Sequence, residues 1–201
     1  MKDVMLYYSW IGGWERMATT ADEQFLSLGI QYYVAARSAV LAGLLPVFGN
    51  FYHHAIEALL KARLSQKLSL HELWKCGHKL PRLWNDFKAE FPSAGLEQFD
   101  DTIASIEPFE RLRYPDAIIA EGAQIIYEWN RSSFPTGQIS GTTTLPPRYG
   151  IVVTDIDRLV AKIFEVCSRN PSFFTDGMNA CARDAITHDN PVAVQLVKPK
   201  S

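Results

Sequence analysis

The chain has 201 residues, 47% hydrophobic, 21% charged and 12% aromatic, with a formal net charge of −2. This composition lies far from the polar, charge-rich make-up of disordered chains, and a chain of this length buries roughly 70% of its unfolded surface without metals or disulfides. The charge balance supplies no basic field for non-specific attraction to nucleic acid.

The cysteines, Cys76, Cys167 and Cys181, are odd in number and irregularly spaced, which argues against a secreted disulfide framework and for a reducing, cytoplasmic setting. They read as small buried hydrophobes. No apolar run approaches the ~20 residues of a membrane span, so no membrane association is expected. Residues 1–16 read as an N-terminal extension before "MATTADEQFLSLG", and residues 17–201 as a single domain.

From Asp22 to about Leu45 the apolar spacing predicts a helix with Phe25, Leu28, Gly29, Tyr32, Ala36 and Val40 inward, capped by Thr20 or Asp22. After Pro46 a second helix is expected over Val47–Gln66, with a stripe formed by Phe48, Phe51, Tyr52, Ala55, Leu59 and Ala62. The short break predicts an antiparallel helical hairpin. A short helix ending at Gly77 follows, then one carrying Leu80, Leu83, Trp84 and Phe87, with Pro81 in its first turn; Trp74, Trp84 and Phe87 read as core. Leu96, Phe99, Ile103 and Ile106 mark a further helix.

Past Arg113–Asp116 the texture changes. Ala123–Trp129 and Arg148–Thr154 read as strands of a small β-hairpin insertion near residues 123–154, joined through a Ser/Thr/Gly/Pro-rich connection over residues 130–147. One more amphipathic helix begins near Thr154 or Asp155 and stops at Asn170–Pro171, and the remaining tail gives at most one short helix before fraying. The fold class is therefore predominantly all-α, an up-and-down helical bundle with a small hairpin.

On a wheel of 100° per residue, His54, Glu57 and Lys61 fall within an arc of about 60°, opposite the apolar stripe, facing solvent or a partner. Glu57 and Lys61 form an i,i+4 pair in its favourable order, which alone explains them as a solvated face. "RYPD" reads equally as a helix-terminating turn, since Pro115 drives Tyr114 out of the α region, or as a phosphate-binding corner at Arg113. His71, Cys76 and His78 match no zinc-ligand spacing, and neither metal nor cofactor is expected. "GQISGTTT", Gly137–Thr144, lacks the Gly-Lys-Ser/Thr ending of a phosphate loop.

Three blocks, Ala55/Glu57/Lys61/Ala62, His78/Leu80 and Arg113/Tyr114/Pro115/Asp116, occur in the order found in the HEPN family, which this chain resembles over Phe51–Asp116 and in outline to about Asn170. The resemblance implies a helical bundle that binds nucleotide or RNA, often as a homodimer, beside a nucleotidyltransferase-type partner or within toxin–antitoxin and defence systems. It places Arg113 and Lys61 on phosphate, with His54, Glu57, His78 and Asp116 shaping the ligand groove. Some family members are metal-independent endoribonucleases in which an arginine holds phosphate and a histidine acts in acid–base catalysis. The formal match here is "RDAITH", with Arg183 and His188 as the alternative, catalytic pair; the same residues read equally as a surface helix end followed by the Asp189–Pro191 turn. A non-catalytic interaction protein is the remaining alternative.

Overall fold

The chain enters its first helix, α1 (Ala21–Leu41), through Thr20, whose backbone N–H donates to the Glu23 carboxylate at 3.3 Å. The computed structural model describes residues 20–131 and 145–198. The N-terminal extension and most of the Ser/Thr/Gly/Pro-rich connection, including Gly137–Thr144, lie outside those residues.

The second helix, α2 (Val47–Leu64), runs back along α1. Partners pair in opposite order along the two helices: Asp22 with Gln66, Gly29 with Leu59, and Tyr33 with Tyr52. At Gly29 a Cβ would stand 2.8 Å from the Leu59 side chain, so the missing side chain is what lets the helices approach this closely. Of the predicted inward face of α1, Gly29, Ala36 and Val40 are buried, Phe25 and Tyr32 are half-buried and Leu28 is exposed; Leu26, Ile30, Tyr33 and Arg37 complete the buried face.

α3 (Leu70–Cys76) is capped by Ser69, which accepts from the Glu72 backbone N–H, and stops at Gly77 with φ +65°. α4 (Leu80–Glu90) carries Pro81 in its first turn. A 3₁₀ turn at Leu96–Phe99 leads into α5 (Asp100–Ile106), a second 3₁₀ segment covers Glu107–Arg113, and α6 (Pro115–Glu121) follows extended Tyr114. Trp84 and Phe87 stack in the core as expected, but Trp74 is 75% exposed and lies parallel to His71 on the surface.

Strands β1 (Gln124–Glu128) and β2 (Arg148–Val152) pair in parallel, with Gln124 opposite Arg148 and Glu128 opposite Val152. The expected hairpin is thereby corrected. A hairpin needs only a tight turn, whereas the long connection between these strands provides the crossover length that parallel pairing requires. β2 passes directly into α7 (Val153–Val166), whose inward Ile156, Leu159, Val160, Ile163 and Phe164 are the residues its periodicity selects.

The C-terminal segment is a packed part of the fold, contrary to the expected fraying. α8 (Ser172–Thr175), α9 (Ala180–Thr187) and α10 (Ala193–Leu196) follow α7, and α9 docks on α1. Fully buried Arg37 makes that joint. Its Nη1 meets both Asp157 carboxylate oxygens at 2.5 and 2.6 Å, its Nε donates to the Ala185 carbonyl at 2.6 Å, and its Nη2 donates to the His188 carbonyl. Tyr33 Oη donates to the same carboxylate at 2.6 Å. The three cysteines also differ in setting: Cys76 is buried, Cys167 is intermediate and Cys181 is exposed, so the reading of all three as core residues holds only for the first.

α2 is the central element. α1, α4, α7 and the Glu107–Arg113 segment all pack on it, and it is buried nearly all round. Most of its polar side is covered by the chain itself: Glu57 is 6% and Lys61 8% exposed and His54 is half-buried, which corrects the wheel's reading that these residues face solvent or a partner. The wheel registers α2's own residues and not the segment that lies over them.

Candidate functional site

The covering segment is seated by Phe109, which packs where a side chain on Gly49 would otherwise stand: a Cβ there would lie 1.8 Å from Phe109 Cδ1. This flat seating lays Glu107 and Glu110 over the first turns of α2. The turn between α3 and α4 brings His78 to the same face, and the Leu80 backbone N–H ties the start of α4 to Glu107 at 2.9 Å.

Glu57 is the hub of the resulting cluster. Lys61 Nζ donates to its Oε1 at 2.6 Å, His78 Nδ1 lies 2.9 Å from its Oε2, and His54 Nδ1 lies 3.6 Å from Oε2. Burial pushes the Glu57 carboxyl toward protonation, but the donors of His54, Lys61 and His78 outweigh it and hold its pKa down at about 2. The hub is therefore an anion throughout the physiological range.

His53, one position from His54, points to the opposite side of Glu57. It is fully buried, and its ring nitrogens face three carboxylates: Glu57 at 3.8 Å, Glu107 at 3.4 Å and Glu110 at 3.7 Å. Among the described residues neither nitrogen has a hydrogen-bond partner, nor does the buried Oε2 of Glu110. Burial lowers the His53 pKa, against the opposing pull of Glu110, Glu57 and Glu107, and favours the neutral imidazole.

Arg113 reaches this cluster through Glu110: its Nη1 donates to Glu110 Oε1 at 2.9 Å, while the other oxygen of that carboxylate faces His53. The guanidinium also sits 5.5 Å from the centre of the Tyr114 ring, which is 63% exposed. The predicted residues His54, Glu57, Lys61 and His78 thus form one cluster, and Arg113 stands beside it, joined only by way of Glu110 and His53 at separations of 3.7 Å and 3.8 Å. Asp116 is exposed in the first turn of α6.

Sequence reasoning missed His53, Glu107 and Glu110. The i,i+4 spacing of His53 and Glu57 was visible in "HHAIE", but their direction was not. The two glutamates join only through tertiary packing.

Arg183 and His188 have separate partners. Arg183 donates to the carbonyls of Asp176 and Met178 ahead of its own helix, and His188 sits edge-on to Trp129 with a 3.5 Å contact to Asp189. A cleft of about 290 Å³ elsewhere is lined by Asp101, Glu128, Arg131, Arg148 and Asp155 among others, and by none of the network residues. Two sets of three side chains bring possible metal-ligating atoms within 4.8 Å of one another: His54, Glu57 and His78, and His53, His54 and Glu110. No family model matches the chain, and no curated protein or solved structure matches it.

Proposed function

We propose that this chain is a HEPN-type helical module that recognises a phosphate-bearing ligand, a nucleotide or RNA, at the edge of the α2 network. The observation that carries the reading is convergence. Glu57 and Lys61, His78, and Arg113 come from three separate sequence blocks; the first three meet through contacts of 2.6 Å and 2.9 Å, and Arg113 lies beside them by way of Glu110 and His53, at separations of 3.7 Å and 3.8 Å. Solvated helix faces and an isolated turn do not require that meeting.

Arg113 and Tyr114 form the accessible side of the network. The arginine side chain is 39% exposed beside an exposed aromatic ring, which pairs a phosphate-binding fork with a surface on which a base can stack. Lys61 serves chiefly to hold Glu57, so Arg113 is the principal phosphate contact. In this reading the module works as a homodimer or beside a nucleotidyltransferase-type partner, without catalysis at Arg183 and His188.

Fluorescence titration of the full chain with ATP, GTP and short RNA oligonucleotides, in chelator-treated buffer, tests the reading. Saturable binding that weakens about tenfold or more in Arg113→Ala, with unchanged thermal stability, is the expected result. Equal binding by the variant, or none by the wild type, removes the proposal.

A further inference from the structure

We propose that His54, Glu57 and His78 form a site for one divalent ion of the zinc class. Such a site is independent of nucleotide recognition, since it involves only the donor atoms and a metal ion.

Zinc takes imidazole nitrogen and carboxylate oxygen at about 2.0–2.2 Å in tetrahedral arrangement, which separates neighbouring ligand atoms by about 3.3 Å. Glu57 Oε2 lies 2.9 Å from His78 Nδ1 and 3.6 Å from His54 Nδ1, on either side of that value. The three donor atoms lie within 4.8 Å of one another, so side-chain rotation that draws them together is what the ion needs.

Lys61 holds Glu57 Oε1 at 2.6 Å, His78 Nδ1 lies 3.0 Å from that oxygen and 2.9 Å from Oε2, and His54 Nδ1 faces Oε2. A carboxylate fixed through one oxygen by a second group is oriented for ligation through the other. Two imidazoles and one carboxylate form a donor set suited to zinc, and three protein ligands leave a fourth position. That position is reachable, because the His78 side chain is 52% exposed while those of Glu57 and His54 are 8% and 22% exposed.

Outside the ligand set, the residues directly behind it point the same way. His53 is fully buried with both ring nitrogens unpartnered among the described residues, and Glu110 Oε2 is buried and unpartnered beside it. Buried polar atoms without a hydrogen bond carry a desolvation cost that contacts of 3.4–3.8 Å offset only in part. His53 Nδ1 lies 3.8 Å from Glu57 Oε2, the oxygen facing the proposed ion, so the orphaned pair borders the site. A divalent ion at this point adds positive charge beside Glu57, which with Glu107 and Glu110 surrounds the buried His53.

The test is competition for zinc between the full chain and a chromophoric chelator, with cobalt(II) absorption as a second readout of tetrahedral nitrogen and oxygen ligation. The expected result is one ion per chain, with affinity falling about tenfold or more in His78→Ala and in Glu57→Gln. His71→Ala and His188→Ala, which remove histidines elsewhere on the surface, should leave it unchanged. His78 lies half-exposed in a turn, so its variant remains informative if Glu57→Gln fails to fold. Absence of stoichiometric binding, or equal loss in the His71 and His188 variants, overturns the proposal. No nucleotide is present in this experiment and no metal in the nucleotide titration, so failure of one proposal is separable from failure of the other.

Discussion

His78 Nδ1 stands 2.9 Å from Glu57 Oε2, although the two residues are 21 positions apart and lie on opposite sides of a helix–turn. With Lys61 and His54, this contact holds the Glu57 pKa at about 2, against an ordinary value of 4.5. A carboxyl depressed in the folded state adds stability that is fully present above its unfolded pKa and is lost as pH falls through the folded value. For Glu57 that window runs from about pH 4.5 down to about 2, and the stake is on the order of 3 kcal/mol. Glu57→Gln should therefore be less stable than wild type at pH 7, with the gap closing toward pH 2. Urea unfolding across that range measures it, and a gap that stays constant with pH contradicts the assignment.

The Arg37–Asp157 pair bears on stability more sharply. Both side chains are fully buried, and Arg37 also holds the carbonyls of Ala185 and His188. Removing only the carboxylate leaves a buried guanidinium without a counter-ion, a change that costs about 3–5 kcal/mol. Asp157→Ala should lose about that much in urea unfolding at pH 7. Replacing both partners with apolar residues of similar volume, Arg37→Met with Asp157→Leu, removes the uncompensated charge. The double variant should be more stable than Asp157→Ala; if it is less stable, the pair contributes more than the desolvation it offsets.

Much of the architecture can be read from local pattern. The α1–α2 hairpin, the stop at Gly77, the start of α6 after Tyr114 and the inward face of α7 each follow from periodicity, a glycine or a proline within a few residues of the feature. The misreadings share one physical origin. Leu28 is apolar yet exposed, Lys61 is charged yet buried, and Trp74 is aromatic yet on the surface, because burial is decided by which distant segment lies overhead. Parallel pairing of β1 and β2 is likewise set by chain path and not by strand composition. In the candidate site, residue types marked His54, Glu57, Lys61, His78 and Arg113; the i,i+3 spacing of Glu110 and Arg113 is local, but the approach of Glu110 to His53 has no local signal.

The cysteines differ enough to be counted chemically. Cys181 is exposed, Cys76 is buried, and burial pushes the Cys167 thiol up to about 11, against the weaker pull of Arg63 and Arg169. Since the thiolate is the reacting form, native protein at pH 8 should give one fast equivalent with a disulfide reagent and two more only on denaturation. Cys181→Ser should abolish the fast phase. A fast phase that survives this substitution places reactive thiol elsewhere and contradicts the packing around Cys76 or Cys167.

Gly49 links stability to the site. Its missing side chain makes room for Phe109, since a Cβ would come within 1.8 Å of Cδ1 and 2.3 Å of Cε1 of a fully buried ring. Overpacking of this kind costs about 1–3 kcal/mol when the neighbour can shift. In this case the neighbour is the residue that seats Glu107 and Glu110 on α2, so relief must come from lifting the segment that carries them. Gly49→Ala should therefore lower the urea midpoint and also weaken the coupling between His53 and Glu110, which histidine titration by NMR reads directly. The double variant Gly49→Ala/Phe109→Leu should cost less than the sum of its single changes, because the smaller side chain relieves the clash. Strict additivity, or an unchanged His53 resonance in Gly49→Ala, would mean that the glycine–phenylalanine contact does not seat the segment over α2.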